Sequence, residues 1–289
     1  MMEYLINLAI LFSIYSMLAL SLNLVIGMSG LVSLAQAAFY GIGAYATAVG
    51  MVSYGLGFFT TVGFGIIINI SIACVIGKIL SGFRGDYYAI VSAGLSIIVF
   101  SILLNWKTVT NGPLGIFGIG KPNIADYYFY SNISFLALTL FCTTIILGIY
   151  HWIDKSSFGR VLKSLREDEQ LTSSLGYKTR HYKNFIFVLS AALSGIAGAF
   201  LASYISFIDP TSFQLKEGIF LFTIIIVGGL SSAKGSIAGA LVLIALPEIL
   251  RFIGLPSATA AQLQQIIYGA LLLLLMLFKP QGLFGKYRM

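Results

Sequence analysis

Residues 4–77 read YLINLAILFSIYSMLALSLNLVIGMSGLVSLAQAAFYGIGAYATAVGMVSYGLGFFTTVGFGIIINISIACVIG, without one Asp, Glu, Lys, Arg or His. A helix needs about 20 apolar residues to cross ~30 Å of hydrocarbon, so this stretch alone can hold about three crossings. The runs are apolar on every side and do not alternate, which favours helices over barrel strands. A soluble helical core would also be apolar, but it needs a charged surface. Here 58% of residues are hydrophobic and 9% charged, against about 25% charged in soluble domains. The chain reads as an all-α polytopic membrane protein, one transmembrane domain over residues 1–289.

Charges and turn residues cut the rest into similar blocks. Spans are expected near 5–26, 31–50, 58–77, 88–106, 132–153, 184–208, 218–233, 235–253 and 262–278, about nine in all (eight to ten). Glycines interrupt or flank 31–50 and 218–233, which predicts broken or re-entrant helices there. Leu5–Ile26 has no basic segment before it, so it is expected to be a retained helix and not a cleaved signal.

Lys and Arg set the orientation. The net charge is +7, which in a membrane protein points to positive cytoplasmic loops and not to nucleic acid. The longest polar segment, 154–183, carries Lys155, Arg160, Lys163, Arg166, Lys178, Arg180 and Lys183. The tail carries Lys279, Lys286 and Arg288. Both are expected on the cytoplasmic side, with Met1 and the loop 107–131 outside. Tyr127, Tyr128, Phe129 and Tyr130 fit an interfacial aromatic belt or an ordinary aromatic loop.

The chemistry-bearing residues exclude most enzyme classes. Cys74 and Cys142 lie in apolar runs and read as core residues, and His151 and His181 stand apart from any ligand cluster. No metal site or cofactor is expected. No G-x-x-x-x-G-K-S/T loop is present, so the chain should not hydrolyse ATP. Glu248 and Arg251 can pair along a helix, which argues against a proton-coupling carboxylate. Ala191, Gly195 and Ala199, and Gly235 with Gly239, recur every four residues and suit close helix packing. Gly30-Leu31-Val32-Ser33 and Gly229-Leu230-Ser231-Ser232 hint at a duplication, one glycine-rich break in each half.

The cytoplasmic segment holds one amphipathic element, Phe158–Glu169. Phe158, Val161, Leu162 and Leu165 form an apolar stripe and the other face is charged. Gly176 reads as a helix stop. Such an element can lie on the membrane or dock into a partner's groove.

The ordered set Ser33–Tyr45 (SLAQAAFYGIGAY), Arg84–Ile90 (RGDYYAI), Thr110–Ile116 (TNGPLGI), Phe158–Tyr177, Leu189–Gly198 (LSAALSGIAG), Asp209–Phe213 (DPTSF), Gly228-Gly229, Leu246-Pro247-Glu248 and Pro280–Leu283 (PQGL) resembles the LivM/LivH-type permease subunits of ABC importers for branched-chain amino acids. The resemblance covers about residues 20–285 and is nearer the LivM branch. Ala35 and Ser231 stand where glycine is usual in that family, and Ser96 where many members carry glutamate.

The resemblance implies a permease that pairs with a second, LivH-like permease. It implies two ATP-binding subunits on the cytoplasmic side, an extracytoplasmic binding protein that delivers substrate, and an inner-membrane location. It makes Phe158, Gly159, Arg160, Leu162, Leu165, Arg166, Glu167 and Gly176 the ATPase-coupling helix. With the hydrogen-bonding chemistry at the first break, it puts Ser33, Gln36, Tyr45 and Asn111 on the substrate path, with Gly27–Gly43 lining it. Importers of urea, short-chain amides or other amino acids share the motifs. An ATP-independent channel or secondary transporter would need mid-membrane acidic pairs, and a scaffold would not keep Ser33–Gln36 at membrane depth.

Overall fold

A computed structural model describes residues 2–124, 127–129 and 131–252, and beyond these only 263, 266–267, 269–270, 273–274, 277–278 and 281–285. The expected span 262–278 and the basic tail residues therefore lie mostly or wholly outside the described residues, as do Tyr130 and the side chain of Arg251. The chain is all-α apart from two two-stranded ladders outside the long helices.

Helix α1 (Met2–Asn23) runs straight into a π turn, Leu24–Met28. Next come α2 (Gln36–Val52), α3 (Phe58–Leu80) and α4 (Asp86–Asn105). A short α5 (Lys107–Thr110) opens the loop 107–131, where strand Ile116–Phe117 pairs antiparallel with Phe207–Ile208. Helix α6 (Asn132–Lys155) leads to α7 (Ser157–Glu167) and α8 (Glu169–Ser174), and α9 (Thr179–Ile205) returns through the centre. The last described helices are α10 (Leu215–Gly228) and α11 (Ala233–Phe252).

Among the described residues, five helices are long and apolar enough to cross a membrane: 2–28, 58–80, 86–105, 132–155 and 179–205. The bent pair Leu215–Gly228 and Ala233–Glu248, angled by 119°, makes up to six. Nine separate crossings are thus not seen among the described residues, for two reasons. Residues 31–35 are not helical, so the expected span 31–50 shrinks to the 17 residues of α2. Helix α10 has 14 residues, a reach of roughly 21 Å at 1.5 Å per residue, short of the ~30 Å core.

The burial pattern ranks the helices. The windows in 2–28 and 179–205 are each 78% buried, while those of α3, α4 and α6 are 22–28% buried. Helices α1 and α9 form the centre, and α3, α4 and α6 turn apolar faces such as Ile67, Ile90, Ile98 and Phe141 outward. Small residues make the central contacts possible, because packing and not exclusion from water drives association in lipid. A Cβ on Gly43 of α2 would strike the backbone of Gly195 in α9, and one on Gly198 would strike the Tyr40 carbonyl. The expected packing role of the α9 stripe is seen there, where α2 crosses it.

Candidate functional site

The non-helical residues between the π turn and α2 are held by hydroxyls of a neighbouring helix. Their backbone is partly buried and lacks helical hydrogen bonds, so it needs partners from elsewhere. Ser92 Oγ accepts from the Leu34 amide at 3.0 Å, and Ser96 Oγ donates to the Leu34 carbonyl at 2.6 Å. This gives Ser96, the glutamate-position departure, a neutral role fixing the break. Ser33 is buried and its hydroxyl accepts from the Ala35 amide at 3.4 Å. Ala35 itself has φ −74°, so that position makes no demand for glycine.

Gln36 opens α2 and is buried. Its Nε2 donates to Ser21 Oγ of α1 at 2.6 Å and to Ser194 Oγ of α9. Its Oε1 accepts from Ser190 Oγ at 3.2 Å, and Ser190 Oγ also donates to the Ser21 carbonyl at 2.7 Å. One neutral amide thus ties α2 to α1 and α9, its Oε1 sharing the single Ser190 hydroxyl proton with the Ser21 carbonyl.

Further along α2, Tyr40 and Tyr45 are buried against Phe213, with ring centroids 5.2 and 6.0 Å away. Neither hydroxyl has a hydrogen-bond partner among the described residues. Asn111 lies elsewhere, exposed in the loop 107–131 with φ 57°. The structure brings Gln36 together with serines, places Ser33 and Tyr45 on the same stretch, and leaves Asn111 outside the group.

A second bridge joins the two glycine-rich breaks. Asn23, the last residue of α1, is fully buried. Its Oδ1 accepts from the Ser231 amide at 3.0 Å, and its Nδ2 donates to the Ser232 carbonyl at 3.1 Å and to Ser236 Oγ at 2.6 Å. Ser231 has φ 58°, in the left-handed region that glycine adopts most readily. Asn23, Ser21, Ser190 and Ser194 were missed in the sequence. A lone Asn ending an apolar span, and serines four apart on one helix face, are the signals that could have marked them.

In the segment 154–183, the expected single element Phe158–Glu169 is two helices. Ser156 caps α7 by accepting from the Gly159 amide at 3.1 Å. Asp168 then leaves helical conformation and caps α8, accepting from Gln170 N at 2.8 Å and Leu171 N at 3.0 Å. A side-chain oxygen at this position satisfies orphan amides and starts a new helix. Gly176 has φ +88° and follows α8, as the expected stop.

The apolar stripe of α7 faces inward. Val161, Leu162 and Leu165 are buried and Phe158 stacks on Tyr182 of α9 at 4.9 Å, so these residues pack on their own chain and are not presented to a partner; Gly159 is buried with them. Arg160, Glu167, Leu171 and Leu175 are exposed. Arg166 lies mostly inside, its Nη1 donating to the Gly27 carbonyl.

Charges anchor α8. Lys183 of α9 is 1% exposed, pairs with Glu169 at 2.7 Å and donates to the Phe83 carbonyl at 3.3 Å. Arg84 meets the same carboxylate at 3.2 Å. In the loop 107–131, Lys121 lies over the rings of Phe135 and Tyr204 at 5.2 and 5.6 Å, and desolvation holds its ammonium below the usual lysine pKa.

The model for "Branched-chain amino acid transport system / permease component" matches residues 4–276. The high-affinity branched-chain amino acid transport system permease protein LivM of Escherichia coli (strain K12) is 33% identical over 306 residues, covering 98% of this chain and 70% of that protein. LivH of the same organism is 26% identical over 295 residues, covering 95% and 92%. A solved structure, PsaBC from Streptococcus pneumoniae in complex with Fab, is similar over 95% of this chain and 91% of that chain, with a TM-score of 0.47 and 18% identity. The described helices and the family match make this a multi-pass membrane protein, and the chain belongs to the family of branched-chain amino acid transport system permease components.

Proposed function

We propose that residues 1–289 form one permease domain of an ATP-driven importer of leucine, isoleucine and valine in the plasma membrane. The loop 154–183 and the C-terminus face the cytoplasm. A second, LivH-like permease completes the pathway, two ATPase subunits bind from the cytoplasm, and an extracytoplasmic binding protein delivers the substrate. The observation that carries this reading is the α7–α8 pair. It is seated by its apolar face on the inner ends of the spans and clamped by Lys183–Glu169, with an outer face of Arg160, Glu167, Leu171 and Leu175 left exposed. A rigid element of that kind can transmit an ATPase's closure, and the chain has no phosphate-binding loop of its own.

Within the pathway, the buried stretch Ser33–Tyr45 is the candidate lining. Gln36 has its hydrogen bonds met by serines, so it holds the helices together. Tyr45 offers a hydroxyl and an aromatic face beside Phe213, a surface suited to an aliphatic side chain with a polar backbone.

Uptake of labelled leucine by membranes containing the permease pair, the ATPases and the binding protein tests the substrate. Unlabelled isoleucine and valine should compete and urea should not. Competition by urea or short amides without uptake of leucine overturns the substrate assignment. Labelling of Gln170→Cys, in a background lacking Cys74 and Cys142, tests the orientation: reaction with an impermeant reagent outside intact cells reverses it.

A further inference from the structure

The last carbonyls of a helix lack intrahelical partners, and a cation placed there is favoured by the helix dipole. Arg166 occupies such a position on the first span. Its Nη1 donates to the Gly27 carbonyl in the π turn, and its Nη2 meets Glu167 at 3.2 Å. Its side chain is 11% exposed. Its Cγ lies on Gly30, where a Cβ would come within 2.6 Å of it, and Gly30 has φ +69°. Gly30 therefore suits both the close approach and the left-handed backbone.

Gly27 touches the second bridge on its other side. A Cβ there would collide with Asn23 Oδ1 and come within 2.6 Å of the Ser231 amide. One π turn of backbone therefore lies between the guanidinium and the Asn23 hydrogen bonds to Ser231, Ser232 and Ser236. Single π turns of this sort concentrate at functional positions in helices.

We infer that Arg166 is a positioning residue that passes displacement of α7 through Gly27 to the Asn23 bridge, so that the two glycine breaks part or close together as α7 moves. The inference rests on the reading of α7–α8 as the ATPase-docking element. It names the route inward from that element, through contacts no helix-level description specifies. Lysine keeps the charge at position 166 but lacks the planar fork that reaches Gly27 and Glu167 together.

The test compares leucine taken up per ATP hydrolysed in proteoliposomes holding the whole complex. Arg166→Lys should retain the ATPase subunits and their hydrolysis yet lose about tenfold in uptake per ATP, the range of an ordinary coupling between sites. Ser236→Ala removes one hydrogen bond of the bridge and should give a smaller loss in the same ratio. Because both act on one chain of contacts, the double variant should fall no further than Arg166→Lys alone. Wild-type uptake per ATP in either single variant overturns the inference, as do multiplying losses or loss of the ATPase subunits from Arg166→Lys. Docking itself is tested separately by Leu171→Glu: if that variant keeps both ATPase and uptake, it is the α7–α8 reading that has failed.

Discussion

Helix α9 is held at two depths by opposite chemistries. Near mid-helix, Ser190 and Ser194 meet the neutral amide of Gln36. Near its N-terminal end, buried Lys183 meets Glu169, which also takes Arg84. Dielectric explains the difference. A charge at the bilayer centre is costly even when paired, while a neutral amide needs only its hydrogen bonds. At the edge, a charged network can be partly solvated, as the 57% exposed Arg84 side chain is. The two sites also answer differently to loss of a partner.

The largest effect is expected at the charged site. Glu169→Ala leaves Lys183 buried without its carboxylate, a change that typically costs about 3–5 kcal/mol. It should appear as a lower melting temperature in detergent and reduced yield. The double variant Glu169→Gln with Lys183→Met removes the charge as well and should recover most of that loss. A double variant as unstable as Glu169→Ala would show that the ion pair is not what fixes α8 to α9.

Gln36 should matter less for stability. Gln36→Ala leaves the Ser21, Ser190 and Ser194 hydroxyls to bond backbone carbonyls, as each already does. A loss of about 1–3 kcal/mol is expected from the unmet groups and the space left. Leucine uptake should fall through loosening of the three helices. Tyr45→Phe keeps the packing against Phe213 and removes only the unpartnered hydroxyl, so it should leave the stability within about 0.5 kcal/mol of wild type and raise the KM for leucine. Unchanged kinetics in Tyr45→Phe, with Gln36→Ala altering KM alone, would reverse the roles given to these residues.

These residues also show how far the sequence could be read. The charge-free run 4–77 announces membrane helices, and the glycine pairs announce where they break, because both depend on local composition. The stop at Gly176 and the packing faces of α9 follow from local rules too. The number of crossings did not, because whether 31–35 is helical depends on Ser92 and Ser96 of another helix. Asn23 escaped notice because its partners lie more than 200 positions away. The amphipathic stripe of α7 was legible as a stripe, but periodicity cannot say whether the chain itself or a partner covers it. Leu162, fully buried within the chain, gives that answer.

The smallest effect on stability, and the sharpest on assembly, is expected on the outer face of α8. Leu171 is 59% exposed there and Leu175 67%, so a polar residue at either position breaks no packing and should shift stability by no more than about 0.5 kcal/mol. Leu171→Glu should therefore fold and reach the membrane like wild type. If the face is covered by an ATPase subunit, the new carboxylate is buried at that contact without a partner, and the penalty for an unpaired buried charge falls on binding alone. The expected result is a normal melting curve with loss of ATPase subunits in a detergent pull-down and loss of uptake. Leu162→Glu should show the opposite order: the charge lands inside the chain, and the fold fails before docking can be asked about. If Leu171→Glu binds the ATPase normally and transports normally, the exposed face of α8 does not carry the coupling, and α7–α8 acts only as an internal brace for the inner ends of α1 and α9.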